Sequence, residues 1–172
     1  MLQRLKVWAF RWWYRLASYL AWRKFKAGPK GNNLSIPTLG GNLGARAYAG
    51  PSGNERPLIV YFHGGGWLIG DLNTHDHCCR ALARHTGCSV VAVDYRLAPE
   101  STYPAAHDDC LAATLWLAEN LSTLPPSDGR LIIAGDSAGG NLAVCSALEL
   151  NTEVRAITAG VLSIYPVTDH YS

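Results

Sequence analysis

The chain has 172 residues, the size of one domain, and its 48% hydrophobic and 16% charged residues exclude a disordered tail and a coiled coil. A formal net charge of +2 hides an asymmetry: residues 1–50 carry nine Lys or Arg and no acid, whereas the remainder carries six basic against thirteen acidic residues. The acidic body excludes a nucleic-acid partner, and five cysteines, an odd number without a CxxC pair, indicate reduced thiols and a cytoplasmic setting.

Residues 1–26 place Leu5, Trp8, Trp12, Leu16 and Tyr19 at helical spacing, with Arg4, Arg11 and Arg15 beside them. The longest uncharged run there, Leu16 to Trp22, is too short to span a bilayer. The segment is expected to be a helix that covers the body, or one that lies peripherally on a membrane surface, where Trp and Arg suit the headgroup region. An Arg-rich, acid-free extension of the transit type is a further reading. Residues 27–42 read as a loop, so the expected division is a cap-like basic helix with linker over residues 1–42 and a body over residues 43–172.

The body alternates two kinds of signal. Pro57–Phe62, Cys88–Tyr95 and Arg130–Gly135 are short continuous apolar runs, the pattern of strands buried on both faces. Helical stretches are expected over Thr74–His85, Ala105–Leu121 and Ala138–Leu150, followed by an apolar run from Ile157 to Tyr165. Strand and helix in alternation predict a parallel sheet with helices on both faces and a ligand site at the carboxyl ends of the strands.

Both glycine-rich turns fall at those ends. Gly135-Asp136-Ser137-Ala138-Gly139 fits G-x-S-x-G between a strand-like and a helix-like run, the context of a nucleophile elbow that projects Ser137 above the sheet. His63-Gly64-Gly65-Gly66-Trp67 lets backbone approach a ligand closely, so the amides of Gly64, Gly65 and Ala138 are expected to form an oxyanion hole. Gly140 continues the small-residue run, and Trp67 is a candidate pocket wall. Asp94 and Asp136 are expected to accept backbone N–H bonds as scaffold. No phosphate loop is present, because the G-x-x-x-x-G-K-[ST] lysine is missing. His75, His77, Cys78 and Cys79 lack a second ligand pair, so neither metal nor other cofactor is expected.

Taken with Asp71-Leu72, Thr74-His75-Asp76, Tyr95-Arg96-Leu97-Ala98-Pro99-Glu100, Tyr103-Pro104-Ala105-Ala106, Asp109, Asn141 and Tyr165-Pro166, these motifs resemble the hormone-sensitive-lipase-like branch of the α/β-hydrolases, which includes bacterial acetyl esterases. The resemblance implies a serine carboxylesterase with Ser137 as nucleophile, acting on a short- or medium-chain ester, with His63 holding the oxyanion loop. Arg96, Glu100 and Asp109 are expected to brace loops rather than react.

The family's triad runs Ser, acid, His, yet after Ser137 this chain offers only Glu149, Glu153, Asp169 and His170. Asp169 and His170 are adjacent and, on extended backbone, point to opposite faces. The expectation is therefore a partial α/β-hydrolase domain, the amino-terminal half of an esterase with little turnover of its own. An exposed sheet edge at Ile157–Tyr165 would favour self-association. The alternative is a non-catalytic binding protein that keeps the ester pocket.

Overall fold

In the computed structural model, which describes residues 2–24 and 28–169, every residue of β3 (Leu58–Phe62) is buried. The reason is the pleat, which turns alternate side chains to opposite faces. Leu58, Val60 and Phe62 enter one apolar core with Val91, Val93, Leu131 and Ile133, while Ile59 and Tyr61 enter a second with Val90, Ala92 and Ala134. These residues belong to β4 (Val90–Asp94) and β5 (Leu131–Asp136), which flank β3 in parallel.

The first core is closed by α3 (Ala105–Glu119) and α4 (Ala138–Leu148), through Cys110, Ala113 and Leu117 and through Leu142 and Ala143. The second is closed by α2 (Asp76–Thr86), through Cys79 and Ala83. Gly87, in the left-handed region at φ 76°, ends α2 and returns its N–H to Ala83 O at 3.1 Å. A short helix, α5 (Thr152–Ile157), is capped by the Asn151 side chain, which accepts from Val154 N–H at 2.9 Å. It leads into β6 (Thr158–Ile164), which pairs with β5 in parallel and forms one edge of the sheet among the described residues.

Two expectations need correction. Residues 27–42 are not all loop: β1 (Asn32–Thr38) and β2 (Gly41–Tyr48) form a hairpin, so a boundary at residue 42 falls inside β2. The sheet is therefore mixed, in the order β1-β2-β4-β3-β5-β6, with β2 antiparallel to β4 and only the four strands from β4 to β6 parallel. The hairpin joins the first core through Ile36, Leu43, Ala45 and Ala47.

The amino-terminal helix, α1 (Leu2–Trp22), forms as expected but meets the body with its polar side. Arg11 donates to Glu100 Oε2 at 2.8 Å, to Ala98 O at 2.7 Å and to Leu68 O at 2.7 Å. Arg15 pairs with Asp71, and the Trp22 indole stacks on His77 at 4.1 Å. The apolar stripe points to solvent: Leu5, Trp8, Trp12, Trp13, Leu16, Tyr19 and Leu20 are each between 52% and 61% exposed.

Candidate active site

Ser137 occupies the tight turn between β5 and α4 at φ 54° and ψ −118°, a conformation that non-glycine residues avoid and that persists only where the surroundings over-determine it. Those surroundings are visible. Ser137 N–H donates to Ile164 O at 2.9 Å, and its carbonyl accepts from Asn141 N–H at 3.1 Å and Val167 N–H at 3.3 Å. Asn141 Nδ2 in turn donates to Val167 O at 2.8 Å.

Close contact between α4 and β3 sets the height of this turn. Ala138, Gly139 and Gly140 are buried, and a Cβ on Gly139 would overlap the Phe62 carbonyl and stand 2.6 Å from His63 O. Gly135 sits opposite Phe62 in the sheet and faces the Gly139 carbonyl. Small residues at these positions let the helix begin directly above β3, with its unpaired first amides at the sheet's carboxyl end.

Across from Ser137 lies the glycine turn. Gly65 adopts φ 131°, and a Cβ there would press on Ile69 O and lie 2.7 Å from Ile69 C, so only glycine fits. Its carbonyl accepts from Leu68 N–H at 3.1 Å and Ile69 N–H at 3.0 Å. Gly64, expected among the oxyanion donors, is corrected by its own bond: its N–H donates to Asp136 Oδ1 at 2.9 Å and is already occupied. Among the described residues the amides of Gly65 and Gly66 have no such partner.

Asp136 thus ties the two turns together. Besides Gly64 it accepts from Tyr61 Oη at 2.6 Å and, more weakly, from Tyr165 Oη at 3.5 Å. Burial, reinforced by Asp136, raises the Tyr61 phenol well above its ordinary range, which keeps the hydroxyl a donor. Sequence reasoning assigned Asp136 to the scaffold but missed Tyr61, whose signal was a hydroxyl inside an otherwise apolar strand.

His63 is fully buried beneath the glycine turn, with its ring 4.4 Å from Tyr95 and 5.3 Å from His75. Nδ1 donates to Gly64 O at 2.8 Å, and Tyr95 Oη donates to His63 O at 2.7 Å. The ring braces the loop and makes no bond to Ser137. Burial, aided by the His75 ring, pushes the His63 pKa from 6.5 down to about 4. Between those two values the unfolded chain binds a proton that the folded chain refuses, so stability is complete above 6.5 and declines as pH falls. The expected loss from pH 7 to pH 4 is about 3 kcal/mol, and burial of His75 acts in the same direction. Urea midpoints measured across this range check it; a flat profile would refute a buried neutral His63.

Other family residues brace as expected. Arg96 grips the buried Asp109 carboxylate through Nε at 2.9 Å and Nη2 at 2.7 Å. Burial alone would raise the Asp71 carboxyl, but bonds from Thr74 N–H and Arg15 outweigh it and hold it below its usual value.

Two cavities adjoin the site. One of about 520 Å³ is roofed by Tyr14, Ser18 and Trp22 of α1 and floored by Tyr61, Asp136 and Tyr165. The other, of about 600 Å³, is bounded by Gly66, Trp67, Tyr103, Asn141 and Leu142. Trp67 also packs against the first core, so it is both wall and filler. Among the described residues no histidine or carboxylate is hydrogen-bonded to the Ser137 hydroxyl, and His170 lies outside them.

Comparisons with known proteins agree with this geometry. A family model for the alpha/beta hydrolase fold matches residues 59–172. The carboxylic ester hydrolase LipN of Mycobacterium tuberculosis is 43% identical over 145 residues, which cover 80% of this chain and 38% of the relative. The ethyl acetate hydrolase of Pseudomonas putida is 41% identical over 144 residues, covering 80% of this chain and 45% of the relative. An esterase of Pyrobaculum calidifontis superposes with a TM-score of 0.85 at 39% identity, over 93% of this chain and 52% of that one. The chain thus spans about half the length, or less, of the relatives it matches. With its strained serine turn and its glycine turn fastened together at the carboxyl ends of β3 and β5, the chain belongs to the alpha/beta hydrolase fold family.

Proposed function

We propose that this chain carries the nucleophile and the oxyanion-stabilising part of a serine carboxylester hydrolase acting on short- to medium-chain esters. The observation that carries the reading is the conformation of Ser137, a strained serine at the first turn of a helix beside a glycine turn with two unoccupied amides. In the proposed cycle Ser137 Oγ attacks the ester carbonyl carbon while a base takes its proton. The carbonyl oxygen becomes an anion held by the N–H groups of Gly65, Gly66 and Ala138. Collapse expels the alcohol with a proton, and water then releases the acid from the acyl-enzyme.

Each oxyanion donor is worth about 3 kcal/mol in such chemistry. The base is the part that the described residues do not bring to Ser137, and the reading assigns it to the acid and histidine of the family's triad. The names of the relatives support an ester substrate, and the largely apolar cavity beside Trp67 supports a hydrophobic acyl or alcohol group. The same reading places the protein in the cytoplasm, at a membrane periphery.

A fluorophosphonate reports on the serine directly. The 172-residue chain is expected to acquire one adduct, on Ser137, slowly, and Ser137→Ala to acquire none. Steady ester turnover is expected to stay within about 10⁴-fold of the uncatalysed rate, the level an oxyanion hole sustains without a complete triad. Absence of an adduct would instead favour a non-catalytic binding protein, and hydrolysis that persists in Ser137→Ala would refute Ser137 as the nucleophile.

A further inference from the structure

We propose that the outer face of α1 seats the protein on an anionic phospholipid surface. The helix is mounted with its polar side inward: Arg11, Tyr14, Arg15 and Ser18 meet the body, and Arg11 and Arg15 are consumed by Glu100 and Asp71. What faces outward is a band from Leu5 to Leu20 that includes Trp8, Trp12, Trp13, Leu16 and Tyr19. Spanning 16 residues, it runs about 24 Å along the helix. A contiguous exposed apolar band of this kind marks an interaction surface. The body does not cover this face, because the body lies on the opposite side of the helix.

Charge selects the occupant. No acidic residue precedes Glu55, and the exposed cations Lys6, Arg23 and Lys24 stand at the two ends of the band. Indole rings in the middle and ammonium or guanidinium groups at the ends match a helix lying flat at headgroup depth, its cations reaching anionic phosphates. A second copy fits poorly, since parallel and antiparallel pairing both bring cationic ends together. Among the described residues no helix is long and apolar enough to cross a membrane, so the mode is lying on, not spanning.

The underside of α1 roofs the cavity that Asp136 lines. A helix seated on a bilayer therefore holds the candidate site at the interface, where esters of limited water solubility collect. That consequence rests on the proposed esterase activity; the docking surface does not.

The test is co-sedimentation of the 172-residue chain with vesicles of phosphatidylcholine containing phosphatidylglycerol, against pure phosphatidylcholine. Binding is expected on the anionic vesicles, about tenfold weaker on neutral ones and reduced by high salt. The triple substitution Trp8→Ala, Trp12→Ala and Trp13→Ala leaves Arg11 and Arg15 in place and should abolish it. Urea midpoints show whether the variant remains folded, and a second variant, Lys6→Glu with Lys24→Glu, should lose only the preference for anionic lipid. No sedimentation, or sedimentation unchanged by the triple variant, would overturn the proposal. So would a dimer, formed without lipid, that the same three substitutions dissolve. Adduct formation on Ser137 without vesicles is read separately, so failure of the surface and failure of the chemistry are told apart.

Discussion

Gly139→Ala is expected to lower stability by about 3 kcal/mol and to prevent adduct formation on Ser137. The added Cβ would overlap the Phe62 carbonyl and stand 2.6 Å from His63 O, and both oxygens are held in place, that of Phe62 by β3 and that of His63 by the Tyr95 hydroxyl. Relief requires α4 to lift from β3. Lifting it moves the helix amides and the serine turn together, so the urea midpoint and the rate of phosphonylation should fall in the same variant. Gly160→Ala is the matched control: a Cβ at that position of β6 meets nothing within 4 Å, and neither quantity should change. Equal midpoints for the two variants would show that the approach of α4 to β3 is not what fixes Ser137.

Replacement of Asp136 by Ala is the second large effect. Asp136 Oδ1 accepts from both Tyr61 Oη and Gly64 N–H, so removing it strands two donors in the interior. Unsatisfied buried donors cost about 1–3 kcal/mol each, and a loss of about 3 kcal/mol is expected. The more informative readout is kinetic. With Gly64 released, the amides of Gly65 and Gly66 lose their fixed position, and phosphonylation of Ser137 should slow about 100-fold, the scale of one lost oxyanion donor. Asp136→Asn keeps an acceptor oxygen and should recover most of the rate, which identifies a positioning residue rather than a reacting one. Equal loss in Asn and Ala variants would point instead to a requirement for the carboxyl group itself.

The parts of the fold that could be read in the sequence are those whose cause lies within a short window. Leu58–Phe62 is apolar at every position because both faces of β3 are covered, and the run shows it. The hairpin escaped notice because only Ile36 of β1 and half of β2 are buried. Asn, Gly, Ser and Thr dominate the rest, and β2 is held to β4 through backbone pairing that leaves little trace in residue type. Alternation of Leu34 with Ile36, and of Leu43 with Ala45 and Ala47, was the available signal.

Periodicity revealed α1 but not its orientation. Which side of an amphipathic helix meets the body was decided by Glu100 and Asp71, acids far along the chain. The candidate site shows the same division. The serine and glycine turns were legible as motifs, whereas the donor lost at Gly64 depended on Asp136, 72 residues away.

The attachment of α1 has a mechanical consequence. Arg11 Nε is bonded to Leu68 O, and Leu68 N–H is bonded to Gly65 O. One side chain and one turn therefore separate the outermost helix from backbone proposed to stabilise charge in the reaction. A tilt or pull on that helix is transmitted to the anion-binding geometry without passing through the hydrophobic cores. On the two proposed readings, a surface that holds α1 would also act, through Arg11 and Leu68, on the backbone assigned to the oxyanion.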